Sequence, residues 1–226
     1  DLVIANPPWN QDGYDEDTLK KGEFWNERFR FGFPPRQSAD WAWIQHMIAS
    51  SRSRVSVVID NGCLFRGGRE GAIRREVVKS DLLDAVVLLP EKLFYNTGAP
   101  GAILIFSKSK EENRKGKVLF INASLEYEQH PEVKKLNRLG DEHIAKIAEA
   151  YREFKEGDGF SRVVSLEEIE KNDYNLNVTF YVASKTDEEP VDIAGTWEEL
   201  CTIDEELKAV TAQVEDYLKE LGYMGE

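Results

Sequence analysis

Cysteine is scarce in this chain: Cys63 and Cys201 are the only two among 226 residues. They lie far apart and have no partners at metal-ligand spacing. That excludes a disulfide framework and points to a reducing, cytoplasmic setting, with both thiols read as packed apolar side chains. No apolar run approaches the roughly 18 residues of a membrane span, and no signal peptide is present, so neither membrane insertion nor export is expected. Positive charge is also short: 29 Lys and Arg face 42 Asp and Glu, a net charge of −13. This is the wrong sign for a protein that grips phosphates unaided. The chain opens without Met, directly on a strand, which is expected of a piece of a longer protein.

What is present begins at once. Leu2 to Ala5 form a short apolar run with β-branched members, suited to a buried strand of a parallel sheet. Asn6-Pro7-Pro8-Trp9 follows. The prolines offer no ladder N–H and hold Asn6 extended, which makes a stiff loop at the carboxyl end of a strand, where open α/β sheets bind ligands. An amide oxygen and a prolyl carbonyl placed together suit one chemical problem. The lone pair of an exocyclic amine is delocalised into its ring, and two acceptors on its N–H groups free that pair and stabilise the positive charge that develops. No titrating base is needed. Trp9 can stack on a flat heterocycle, worth roughly 1–3 kcal/mol per base.

Asn-Pro-Pro-Trp after an apolar strand resembles the catalytic motif of S-adenosylmethionine-dependent amino-methyltransferases, shared by N6-adenine DNA methylases, ribosomal RNA methylases and glutamine methylases. Several further segments narrow the resemblance: Ser38 to Met47, Val55 to Gly62, Leu93 to Gly98, Lys115 to Ala123, and Ser165 to Asn177. Together they resemble the methylation subunit of type I restriction–modification systems, in order and at compatible spacing from Asp1 to about Val182.

The resemblance implies the carboxyl half of a Rossmann-like, doubly wound α/β methyltransferase sheet with a helical C-terminal extension. It implies methyl transfer from S-adenosylmethionine to the N6 amine of an adenine flipped out of DNA. Asn6 and Pro7 would act as acceptors, Pro8 as the stiffener of the loop and Trp9 as the stacking plate. Partners would be DNA, a specificity subunit that chooses the target, and a restriction subunit. Methyl transfer to a glutamine amide or an RNA guanine, or a non-catalytic assembly role, are the alternatives. A complete enzyme of this type binds its donor on a glycine-rich turn after its first strand. Gly67-Gly68 instead follows a later strand and reads as a loop and helix start. The cofactor site is therefore expected upstream of residue 1, and this chain alone is expected to be inactive.

The rest of the pattern supplies a scaffold. Residues 12–35 read as a long irregular loop with interleaved aromatics and arginines, serving either nucleotide contact or cover for the sheet edge. Trp41, Ile44, Met47 and Ile48 recur at helical spacing, with Ser38 or Asp40 near the helix start. Strands are expected at Val55–Ile59, Ala85–Leu89, Ala102–Phe106 and Val118–Asn122, with the last strands of the sheet antiparallel, and a helix at Gly68–Ser80. Between Arg52 and Lys79 basic residues outnumber acids, so Arg66, Arg69, Arg74 and Arg75 are candidate DNA contacts, against the reading of a solvated helix face. Asn96, in an Asn-Thr-Gly turn, is a further candidate.

Three regions are expected: a partial catalytic domain (1–123), a helical continuation (124–186), and an acidic linker with a terminal helix (187–226). In the second, Asp141 is expected to cap a helix burying Ile144, Ile147, Tyr151 and Phe154, and Ser165 with Glu168 to form a capping box. In the third, Leu200, Ile203, Leu207, Val210, Val214, Tyr217 and Leu221 form a heptad seam that docks either on another chain or on its own domain.

Overall fold

A computed structural model describes residues 1–183 and 192–223, which belong to two compact units. The linker reading of Asp187–Pro190 lies outside the described residues. In the first unit, β1 (Leu2–Ala5) leads through the one-turn helices α1 (Glu16–Leu19) and α2 (Trp25–Arg28) to α3 (Asp40–Ser50) and β2 (Arg54–Asp60). After a 3-10 turn come α4 (Gly68–Lys79), β3 (Leu83–Leu88), β4 (Gly101–Ser107) and β5 (Lys117–Asn122). A small hairpin, β6 (Glu128–Gln129) with β7 (Asn137–Arg138), precedes α5 (Asp141–Glu153), β8 (Ser161–Ser165), α6 (Leu166–Lys171) and α7 (Val178–Tyr181).

Among the described residues one six-stranded sheet runs in the order β1-β2-β4-β3-β5-β8. β1 pairs parallel with β2, and β3 with β5. β4 is antiparallel to both its neighbours, and β8 is antiparallel to β5. The α/β class is as expected, with two differences. The expectation that the last strands are antiparallel fails for β5, because β4 slots between β2 and β3 and leaves the outer side of β3 to a parallel partner. β8 was not foreseen, since Ser161-Arg162-Val163-Val164-Ser165 is too short and polar to announce a strand; it forms as the lid on the β5 edge.

Alternation of side chains distributes the core over both faces. Val55, Val57 and Ile59 turn to the side covered by α3 and α4, where Trp41, Ile44, Ile73 and Val77 are fully buried. Each such aliphatic side chain contributes about 1.5–3 kcal/mol through the area it removes from water. Ala85, Val87, Leu119 and Ile121 face the other way, toward α5. All six residues of β3 are buried, as expected of a strand covered on both faces. β1 is covered on one face only, and its Leu2 and Ile4 are 58% and 74% exposed.

The helix starts differ from their sequence signals. α3 begins at Asp40 behind Ala39, and no side chain caps it; Ser38 and Asp40 are engaged elsewhere. The N-cap of α5 is Gly140, whose N–H donates to His143 Nδ1 at 3.0 Å. Asp141 is the first helical residue, and Ile144 is 50% exposed rather than buried. Ser165 does cap α6, accepting from Glu168 N–H at 3.2 Å. The Glu168 carboxylate turns to Arg162 at 2.8 Å instead of closing the box.

α5 is fastened to the sheet by a buried polar cluster. Asp84 Oδ2 accepts from Arg114 at 3.1 Å and from the Tyr151 hydroxyl at 2.7 Å, while Arg114 also donates to the Tyr151 and Arg152 carbonyls at the end of α5. Burial, reinforced by the Asp84 carboxylate, pushes the Tyr151 hydroxyl up to about 12. The second unit contains α8 (Ile193–Glu220), capped by Asp192, whose side chain accepts from Gly195 N–H at 3.0 Å. Its seam from Leu200 to Leu221 is exposed, each of its seven apolar residues by 49% or more.

Removing one partner of a buried charge pair leaves the other uncompensated, at about 3–5 kcal/mol. Arg114→Met is therefore expected to lower the urea unfolding free energy by about that amount, measured from the midpoint of the transition. A loss below about 1 kcal/mol contradicts the fastening role.

Candidate active site

Residues from four segments meet at one edge of the sheet. β1 and β2 run in the same direction with Ala5 opposite Val57, so both strands end at the same carboxyl edge, Asn6 level with Val58 and Asp60 two residues further on. β4 runs the other way with Gly101 opposite Asp60, which brings its first residue to the same edge. The segment leading into it carries Phe94 to Thr97. Asn6, Pro7, Trp9, Asn10, Asp60, Phe94, Tyr95, Asn96 and Thr97 line an open cavity of about 570 Å³.

Trp9 organises the loop. Its indole N–H is shared between Asn6 Oδ1 at 3.2 Å and the Val58 carbonyl at 3.3 Å. An indole nitrogen only donates, so the Asn6 atom it meets must be the amide oxygen, which settles how the amide is turned. Among the described residues no second donor meets that oxygen. The Trp9 ring packs edge-on against Phe94, with centroids 4.6 Å apart and planes at 68°, a favoured aromatic geometry. Tyr95 stands at the mouth of the cavity, 71% exposed.

Two supports lack a sequence signal. A Cβ on Gly101 would lie 2.8 Å from Phe94 Cε2 and 2.9 Å from Trp9 Cη2, so glycine is what lets this ring pair seat on the sheet end. The aromatic segment is tied down from β7, where Asn137 donates its N–H to the Lys92 carbonyl at 2.8 Å and its side-chain amide to the Glu91 carbonyl at 2.9 Å.

Behind the cavity lies an ion cluster. Arg66 donates to Asp40 Oδ2 at 2.5 Å, to Asp60 Oδ2 at 2.6 Å and to Glu70 Oε2 at 2.7 Å. Ser38 Oγ donates to Glu70 Oε1 at 2.9 Å. Burial raises the Asp40 carboxyl, against the opposing pull of the Asn10 N–H and Arg66. Burial pulls the Arg66 guanidinium down, and its bonds to Glu70 and Asp60 more than reverse this, leaving it raised. Cys63 nearby is fully buried, and burial together with Asp40 pushes its thiol well up, which makes it a packed group and no nucleophile.

The candidate phosphate contacts scatter. Arg74 is buried and donates to the carbonyls of Tyr174, Cys63 and Arg66, with burial lowering its pKa. Arg66 turns inward as described. Arg75 is half exposed, paired with Asp173 at 2.6 Å, and Arg69 is exposed. Only Asn96 shares the cavity with Asn6. Gly67 and Gly68 open α4 beside Phe65, Arg75 and Asp173, away from that cavity. Among the described residues no group of three or more His, Cys, Asp or Glu side chains could hold a metal, and no helix is long and apolar enough to cross a membrane.

The arrangement offers a fixed amide oxygen beside Pro7 within aromatic walls, which suits a planar ligand with an NH₂ group. Comparison with known proteins identifies relatives of this chain. Residues 1–190 match the N-6 DNA methylase family model. Two methylase subunits of type I restriction enzymes from Methanocaldococcus jannaschii, MjaVIII and MjaVII, are 56% and 53% identical to 98% and 97% of this chain. The chain spans only 38% and 39% of their length. A solved methyltransferase subunit of a type I restriction–modification system from Streptococcus thermophilus superposes with a TM-score of 0.70 at 34% identity, over 80% of this chain and 38% of that one.

Gly101→Ala is expected to unseat Trp9 and Phe94 without unfolding the sheet, a local overpacking of about 1–3 kcal/mol. Tryptophan emission should shift while the far-ultraviolet circular dichroism stays unchanged. An unshifted spectrum and unchanged stability would show that the ring pair does not depend on this glycine.

Proposed function

The chain belongs to the N-6 DNA methylase family, and from that premise we propose that its protein is the methylase subunit of a type I restriction–modification system. It transfers the methyl group of S-adenosylmethionine to the N6 amine of an adenine flipped out of DNA. The observation that carries this reading is the Asn6 amide, turned by Trp9 so that its oxygen, beside Pro7, borders an aromatic-walled cavity.

In this reading the Asn6 oxygen and the Pro7 carbonyl accept the two N–H groups of the adenine amine. The nitrogen lone pair is drawn out of the ring and the charge that builds on nitrogen is stabilised where it forms. Pro8 stiffens the loop, Trp9 stacks on the base, and Tyr95 stands at the mouth to cover its other face. Asn96 contacts the target strand within the same cavity. Arg69 and Arg75, on the exposed side of α4, are the remaining candidates for phosphate contact.

S-adenosylmethionine supplies an electrophilic methyl group on sulfonium. Among the described residues the glycine pair at α4 lies away from Asn6, and no glycine-rich cradle borders the Asn6 cavity, so these residues do not fit the adenosyl group. What they supply is the amine-activating side of the reaction.

An acidic chain needs help to hold DNA, and the relatives are named as subunits. We assign DNA affinity and target choice to a specificity subunit, with a restriction subunit joining the assembly. The exposed seam of α8 is the surface that docks on a helical partner in this reading, as a narrow apolar stripe at heptad spacing does.

The test is single-turnover methylation of an adenine-containing target by the full-length subunit in its complex. Asn6→Ala should slow transfer on the order of 10²-fold or more, the range seen when one preorganised electrostatic partner is lost. A near-native rate removes Asn6 from the mechanism.

A further inference from the structure

The loop that carries Asn6 is fixed at both ends. Its entry is set by the pairing of β1 with β2. Its exit is set by Asp40, whose Oδ1 accepts the Asn10 N–H at 2.9 Å, supported by the Ala39 N–H donating to the Gln11 carbonyl at 2.9 Å. The Asp40 side chain is fully buried, and it is held in turn by Arg66. The same guanidinium grips Asp60, a wall of the cavity, and Glu70 in the first turn of α4. One side chain thus joins the loop exit, the start of α3, the end of β2 and the start of α4.

The donors of Arg66 are nearly used up. Of its five N–H groups, Nε meets Glu70, one on Nη1 meets Asp60, and Nη2 meets Asp40 with Glu70 and Ser38 at 3.3 and 3.4 Å. Three carboxylates converge on it, so its removal leaves them facing one another in a mostly buried place. The backbone is shaped around this fork: a Cβ on Gly62 would lie 2.4 Å from Arg66 Nη1 and 2.6 Å from Asp60 Oδ2.

We propose that Arg66 is a positioning residue for methyl transfer, holding the Asn6–Asn10 loop through Asp40 and the cavity wall through Asp60. It sets where the Asn6 oxygen meets the amine, and it contacts neither substrate nor DNA. The inference rests on the methylation reading above. It requires the planar fork of arginine, because a lysine ammonium carries the charge without reaching three carboxylates in fixed directions.

The experiment uses the full-length subunit in its complex, with Arg66→Gln, Arg66→Lys and the charge-preserving Gly62→Ala. All three should lower the single-turnover rate at saturating DNA and donor, the Arg66 variants on the order of 10²-fold, as misplacement by about 1 Å does. DNA affinity should stay within about threefold, with an unchanged salt dependence, because no phosphate contact is lost. Limited trypsin digestion should speed cleavage at Lys20, Lys21 and Arg28 in the segment of α1 and α2 that follows, with the rest of the digest unaltered. Three results would overturn the proposal: near-native transfer by Arg66→Lys, a loss confined to DNA affinity with the salt slope reduced by about one, or digestion accelerated equally at all sites. If the unsubstituted complex transfers no methyl group, the function reading fails, and the trypsin pattern alone still decides whether Arg66 clamps the loop.

Discussion

The site depends on the parallel pairing of β1 with β2. A parallel pair brings two strand ends out at the same edge, so Asn6, level with Val58, lines the same cavity as Asp60. The loop can then send a donor across to the neighbouring strand: the Trp9 N–H reaches both the Asn6 oxygen and the Val58 carbonyl of β2. The antiparallel run of β4 completes the edge, since only that direction places Gly101, with no side chain, under the two aromatic rings. A slip of one residue in the β1–β2 register would turn the side chains of β1 to the opposite face. It would also displace Asn6 relative to Val58 and Asp60.

Charge is arranged around the same edge. Several of the arginines serve inside the protein: Arg66 among three carboxylates, Arg74 on backbone carbonyls, Arg114 on Asp84. Interior pairs of this kind add little net stability, because desolvation opposes their attraction. Their value lies in geometry, fixing α4 and α5 against the sheet and the loop against α3. These three side chains are committed inside the protein and are not available to phosphate, in a chain whose net charge is −13.

The sequence announced whatever follows from local rules. The Asn-Pro-Pro-Trp loop is legible because prolines end strands, and β2, β3 and β4 are legible as apolar β-branched runs between turns. α4 shows its buried face at Ile73, Val77 and Val78. What could not be read depends on distant contacts. Ser38 and Asp40 have the composition of helix caps, yet the first bonds Glu70 and the second bonds Asn10 and Arg66. Arg66 and Arg74 lie in a basic stretch that resembles a phosphate surface, and only the packing of α4 against residues near Asp40 and Tyr174 turns them inward. Gly101 is an ordinary strand-initial glycine until Trp9 and Phe94 are seen to rest on it. β8 exists because β5 offers an edge, and no pattern in its own five residues requires it.

In the proposed reaction a fixed amide oxygen and a prolyl carbonyl activate the amine of an adenine in DNA. The most direct measurement is nucleoside mass spectrometry of DNA from cells carrying or lacking the gene, at matched growth. N6-methyladenine is expected at a discrete set of sites in the first and is expected to be lost at those sites in the second, restored by the intact gene and not by its Asn6→Ala variant. An unchanged adenine mark, or a lost methyl group traced to an RNA guanine or a glutamine amide, would contradict it.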